Sequence, residues 1–193
     1  MIGRVCLVLN ECAPVLEALL AVPGGSELTN EGDHRVSALL SACNKGHQMM
    51  VDVLLGLPGF DVNAVGKDDG KTPLYVASRN GFLEIVNSLL DKGADPTPVT
   101  KSSAESALYA ASEQGHLDIV KVLLARGAKE TMNHTTKEAL TAVCIAAKKG
   151  FVEVVTELKL AGAHTRNAED HARNAGQTAV MIALRFPSPY KLI

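Results

Sequence analysis

Gly46, Gly81, Gly115 and Gly150 stand in matching surroundings at intervals of 35, 34 and 35 residues. Self-similarity at such a period marks a stacked array, because each unit is one small supersecondary element that must lean on its neighbours. An Ala-rich run precedes each glycine: Leu39…Ala42-Cys43, Leu74…Ala77-Ser78, Leu108…Ala111-Ser112 and Val143…Ala146-Ala147. An aliphatic run follows each: Met50-Val51…Leu54-Leu55, Ile85-Val86…Leu89-Leu90, Ile119-Val120…Leu123-Leu124 and Val154-Val155…Leu158. A second glycine, at 59, 93, 127 or 162, closes the unit.

Apolar residues within both runs fall at i, i+3 and i+4, the spacing of one helix face, so each unit reads as two helices of about two turns. Ser37, Thr72, Ser106, Thr141 and Thr178 share one position and are expected to cap helices by accepting a backbone N–H bond. Pro73 follows Thr72 at the first helical position, where its missing N–H costs nothing. The mid-unit glycines fall where the first helix must stop and the chain reverse, a place for left-handed backbone. With 47% hydrophobic residues but only 4% aromatics and no Trp, the core must be built from Ala, Val, Leu and Ile, which suits thin stacked layers.

Asp69-Gly70-Lys71-Thr72-Pro73-Leu74-Tyr75-Val76-Ala77-Ser78-Arg79-Asn80-Gly81-Phe82-Leu83-Glu84-Ile85-Val86…Leu89-Leu90…Gly93-Ala94-Asp95 resembles a nearly complete ankyrin repeat, and Gly115-His116-Leu117-Asp118 through Gly127-Ala128 resembles a second. The resemblance, which covers about residues 32–186, implies an all-α ankyrin-repeat solenoid of stacked helix-turn-helix units with β-turn or hairpin fingers. Val15, Leu16, Leu19, Leu20, Pro23 and Gly24 lie 35 residues before Met50, Val51, Leu54, Leu55, Pro58 and Gly59. Residues 1–31 therefore read as a degenerate N-terminal capping repeat. Repeats are expected at 32–66, 67–100, 101–135 and 136–172, the last degenerate, with a C-terminal half-repeat and tail at 173–193. In that reading Thr178-Ala179-Val180-Met181 restarts the motif, and Pro187 and Pro189 stop it. Lys159 replaces a leucine of its helix and is expected to snorkel to solvent. With the long connection from Gly162 to Thr178, this makes the C-terminal end the least stable part.

Nothing in the sequence favours catalysis. Gly66-Lys-Asp-Asp-Gly70-Lys71-Thr72 is one residue short of a phosphate-binding loop between its glycines, and Pro73 follows at once; a linking turn and helix cap explain it. His164, Glu169, Asp170 and His171 cluster but lack the spacing of a structural zinc site. Cys43 sits at a small-residue core position and Cys144 where other units carry Leu40 or Tyr75; neither has a Cys–His signature. No enzyme activity, metal, cofactor or small-molecule substrate is therefore expected. Cys6, Cys12, Cys43 and Cys144 form no C-x-x-C pair, which suits a reducing compartment, the cytoplasm or the nucleus. A net charge of −2 gives no general pull toward nucleic acid. The apolar run at the N-terminus is broken by Asn10 and Glu11 too soon for a signal peptide or a membrane span.

In the family resembled, partners lie on the concave side, against the turn tips and the ends of the first helices. That implies tip positions Asp33, His34 and Val36, Asp68, Asp69 and Lys71, Ser103 and Glu105, and Lys137, Glu138 and Leu140. It implies helix-end positions Asn44 and Lys45, Arg79 and Asn80, Glu113 and Gln114, Lys148 and Lys149, and Arg185 and Phe186. Tyr75 and Tyr109 lie beside these rows as candidate anchors. The helix-end row is mostly basic, with Glu113 the exception, which suggests an acidic or polar partner surface. Asn63 resembles the asparagine that some family members carry hydroxylated. The reading is a monomeric, non-enzymatic binding module for a protein partner, an adaptor, scaffold or inhibitor. The alternative is a targeting or regulatory segment of a larger enzyme or signalling protein.

Overall fold

A computed structural model describes residues 34–56, 59–66 and 69–185. The capping repeat expected at 1–31, Asp33, Asp68, Phe186 and the tail lie outside them, as does the side chain of His34. Ten α-helices are described: α1 (His34–Lys45), α2 (Gln48–Leu55), α3 (Pro73–Asn80), α4 (Leu83–Asp91), α5 (Ala107–Gln114), α6 (Leu117–Ala125), α7 (Ala142–Lys149), α8 (Val152–Ala161), α9 (Ala168–Asn174) and α10 (Thr178–Arg185). They pair in sequence, and the pairs stack. First helices pack on first helices, in the order α1, α3, α5, α7, α9; second helices α2, α4, α6, α8 and α10 form a parallel layer.

Small residues let the first-helix layer close. Ala77, Ala110, Ala111, Ala146 and Ala147 are fully buried, while Leu74, Leu108 and Val143 fill the space toward the second helices. Val86, Leu89, Val120, Leu123, Val155 and Leu158 complete the same core from the other layer. Three caps form as expected: Thr72 Oγ1 accepts from Tyr75 N, Ser106 Oγ from Tyr109 N, and Thr141 Oγ1 from Cys144 N, at 3.1, 3.1 and 3.3 Å. Ser37 does not cap. Helix α1 begins one turn earlier, at His34, so Ser37 lies inside it.

The mid-unit glycines have a second reason to be glycine. Gly46, Gly81, Gly115 and Gly150 all have positive φ, and a Cβ on any of them would strike the first residue of the next unit's reversal. Those residues are Phe82, His116, Phe151 and Gln177 in turn. Each unit thus presses a flat side chain onto its predecessor's glycine, and His116 Nε2 also lies 3.2 Å from Arg79 O.

This ladder corrects the reading of the C-terminal end. Gln177 follows Gly176, which has φ +72° and lies just past the Ala175 cap of α9, and Gln177 N donates to Ala172 O as Phe151 N donates to Ala146 O. The segment between Gly162 and Thr178 is not merely a long connection: it holds α9, the first helix of a fifth pair. Thr178 opens α10, which packs on α8 and is the second helix of that pair. The boundary drawn between 172 and 173 accordingly cuts through α9. Lys159 does not snorkel into open solvent either. Its Nζ donates to the carbonyls of Ala183 and Leu184, at 3.0 and 2.6 Å, capping the last turn of α10.

Candidate functional site

Short fingers connect the pairs and are laced to each other through the backbone. Lys101 N donates to Asp69 O at 2.9 Å and Lys137 N to Ser103 O at 3.0 Å. Within fingers, Thr100 N donates to Glu105 O and Thr136 N to Leu140 O. The turn needs one left-handed residue: Gly70, Ala104 and Ala139 take it in successive fingers, at φ +66°, +58° and +59°. Asp69 is tied into this lace. It accepts from Ser102 N at 3.1 Å and pairs with Lys71 at 3.0 Å, contacts that hold its carboxyl below the usual aspartate range. A further tie was not read from the sequence. Asn63 Oδ1 accepts from Asp95 N, and Asn133 Oδ1 from His164 N, both at 2.8 Å, so each asparagine clamps the loop that closes the next unit. In the sequence Asn63 stands out only as a candidate for hydroxylation; its spacing of 70 residues from Asn133, two repeat periods, is the signal that the two share a place.

Between the fingers and the first helices lies the candidate binding face. At its near end a groove of about 530 Å³ is lined by Ser37, Leu40, Ser41 and Asn44 of α1, Gly66, Asp69 and Lys71 of the finger, and Val76 of α3. Along the helix ends Asn44, Lys45, Arg79, Asn80, Gln114, Lys148 and Lys149 are exposed and Glu113 is half-buried. Asn80 Nδ2 donates to Asn44 Oδ1 at 3.1 Å, linking two units of the row. Val36 and Leu140, expected at the tips, are each only 6% exposed and serve the core instead.

Tyr75 and Tyr109 are not exposed anchors. The two residues are 2% and 6% exposed, and their rings are packed in the interior. Only their hydroxyl ends bear on the face. Tyr75 OH donates to Glu105 Oε2 at 2.5 Å and accepts from Arg79 Nη1 at 3.0 Å. Burial, then Glu105, raises the Tyr75 phenol above the ordinary tyrosine range. Burial opposes the Arg79 charge, but Tyr75, Glu113 and Glu105 outweigh it and hold the guanidinium more firmly protonated. The Tyr109 phenol is raised by burial and by the carboxylates of Glu113, Glu105 and Glu138.

At the far end a second groove, about 580 Å³, places Cys144 and His164 in one lining with Asn133, Thr141 and Arg166. Cys144 is nevertheless only 2% exposed. Burial pushes the Cys43 thiol up to about 12. Among the described residues no three His, Cys, Asp or Glu side chains converge to hold a metal, and no helix is long and apolar enough to cross a membrane.

Stacked helix pairs, laced fingers and a variable face beside a recurring core define a repeat solenoid of the ankyrin class. The sequence profile of ankyrin repeats matches residues 5–100 and 108–191, and the chain belongs to that family, a generic protein-binding module. Among curated relatives, an ankyrin repeat and KH domain-containing protein of Caenorhabditis briggsae is 33% identical over 174 residues, 89% of this chain and 6% of that protein. The ankyrin repeat and KH domain-containing protein mask-1 of Caenorhabditis elegans is 36% identical over 85 residues, 43% of this chain and 3% of the relative. A palmitoyltransferase of Kluyveromyces lactis, AKR1, is 42% identical over 72 residues, 36% of this chain and 9% of the enzyme. The chain thus spans less than a tenth of the length of each of these relatives.

Proposed function

We propose that this chain is a non-enzymatic protein–protein interaction module, an adaptor, scaffold or inhibitor, that grips a protein partner on the concave face between its fingers and first helices. One observation carries the reading. The helix-end side chains from Lys45 to Lys149 stand at the same place in successive units, reach solvent, and change in chemistry from unit to unit, while the core positions behind them stay small or apolar. A surface free of the packing constraint, yet held in register by it, is what a recognition face requires. The module works as a monomer in a reducing compartment, the cytoplasm or nucleus, in keeping with its buried free thiols at Cys43 and Cys144.

Cross-linking of the purified chain to a partner captured from its source cells tests this. Cross-links from Lys45, Lys71, Lys148 and Lys149 are expected. Cross-links confined to Lys92 and Lys121, at the end of α4 and on α6, would reject it. The second reading, a regulatory or targeting segment of a larger enzyme, draws on the match to a palmitoyltransferase of which the aligned stretch is a small part. Sequencing the full transcript on both sides of these 193 residues decides between the two.

A further inference from the structure

Tyr75 and Tyr109 hold the same place in successive units, each three residues after its capping Thr72 or Ser106. Their hydroxyls end in opposite circumstances. At Tyr75 the residue one turn on is Arg79, whose guanidinium donates to the phenol, while the phenol donates to Glu105. Guanidinium, phenol and carboxylate form a hydrogen-bonded chain. At Tyr109 the residue one turn on is Glu113, so the cation is replaced by a negative charge. The Tyr109 hydroxyl has no hydrogen-bond partner among the described residues, although the side chain is 6% exposed. Glu113, Glu105 and Glu138 all bear on it, and none of the three forms a salt bridge among the described residues. Arg79, which donates to Tyr75, also bears on Glu113 and Glu105 without forming an ion pair with either, and Lys137 Nζ donates to Lys101 O at 2.8 Å.

We infer that the centre of the binding face, at Tyr109, receives an arginine or lysine side chain from the protein partner, flanked by Glu105, Glu113 and Glu138. The incoming cation takes the role at Tyr109 that Arg79 takes at Tyr75, donating to the phenol oxygen, and it also pairs with carboxylates within reach. Arginine fits best, since its planar fork donates to several acceptors at once. This inference rests on the reading of the concave face as the binding face and specifies the chemistry at its middle. It differs from an acidic partner surface suggested by the row of helix-end lysines, which remains apt only toward Lys45 and toward Lys148 and Lys149.

The test uses the full chain with its tyrosine rings isotope-labelled and two blocked tripeptides, Gly-Arg-Gly and Gly-Glu-Gly. Loss of one signal in Tyr109→Phe assigns the ring. Millimolar Gly-Arg-Gly is expected to shift Tyr109 saturably, with Gly-Glu-Gly leaving it in place. Glu113→Gln and Glu138→Gln each weaken the arginine probe about two- to fivefold, the range of one exposed charge pair, and added salt weakens it further. Glu113→Arg, which copies the Tyr75–Arg79 arrangement, abolishes the shift while the circular-dichroism melt shows the fold retained. An unmoved Tyr109, an equal response to both tripeptides, or a response that survives Glu113→Arg would overturn the inference. If it falls while partner cross-links still map to Lys45 and Lys148, the concave-face reading stands alone. If the cross-links map to Lys92 and Lys121, that reading has failed as well.

Discussion

The pair α5–α6 and the pair α9–α10 are built on the same plan with different parts. In the first, Ser106 caps the leading helix, His116 lies on Gly81, and Phe151 of the following unit lies on Gly115. In the second, α9 has no side-chain cap, Gln177 stands where the other units place a ring, and the cap of α10 is borrowed from Lys159 of the unit before. A repeat therefore tolerates substitution of nearly every part, provided that the helix ends are satisfied and the glycine slot is filled from somewhere. The central units meet these needs through recurring residues; the last pair meets them with single, local solutions.

The largest expected effect tests the glycine slot. Gly115→Ala should cost about 2–4 kcal/mol, because a left-handed alanine is strained and its Cβ meets the Phe151 ring at 2.7 Å. Gly176→Ala, with the same sign of φ and nothing within 4 Å, should cost only the backbone strain, about 1–2 kcal/mol. Urea unfolding of both variants measures the difference; equal losses would mean that the slot contributes nothing. Next is Lys159→Leu. The repeat pattern says that leucine should stabilise this position. The structure says that it uncaps α10 and costs about 1–2 kcal/mol, read as faster amide exchange over Thr178–Arg185. A slower exchange would show that the borrowed cap is worth less than the apolar contact.

A smaller contrast lies in the first-helix core. Ser78 Oγ is buried without a hydrogen-bond partner, whereas Ser112 Oγ donates to Leu108 O at 2.7 Å. Ser78→Ala should gain about 1 kcal/mol, and Ser112→Ala should gain nothing. The order of their thermal midpoints checks this, and Ala147 already fills the same place in α7. Smallest is the finger turn. Ala104→Gly and Ala139→Gly relieve a left-handed alanine but free the unfolded chain, for a net gain of at most ~0.5 kcal/mol each. Matched gains would show that the central and C-terminal fingers carry the same strain.

Most of the helix pairs were legible because their signals act within a few residues: an apolar face, a capping hydroxyl, a glycine at the reversal. The misreadings have separate causes. Ser37 and Thr178 have the right residue types for caps, but α1 extends past one and α10 begins at the other. Helix α9 was missed because Ala168 and Ala172 are its only buried residues, too few to show a periodic face. Of the candidate site, the helix-end row was legible as the positions that escape the core pattern. The burial of Tyr75 and Tyr109 was not, since the fingers that cover them come from neighbouring units.

The sequence by itself determined the repeat, its period, the layer of small residues and the caps at Thr72, Ser106 and Thr141. Each of these rests on interactions within one unit or on a pattern that repeats from unit to unit. Only the tertiary structure decided what happens between units: the side chain pressed onto each glycine, Lys159 turned to the end of α10, and the Tyr75 hydroxyl bonded to Glu105 of the next finger. Those contacts join residues of neighbouring units, and their chemistry depends on which side chain the next unit supplies, so no single unit carries them.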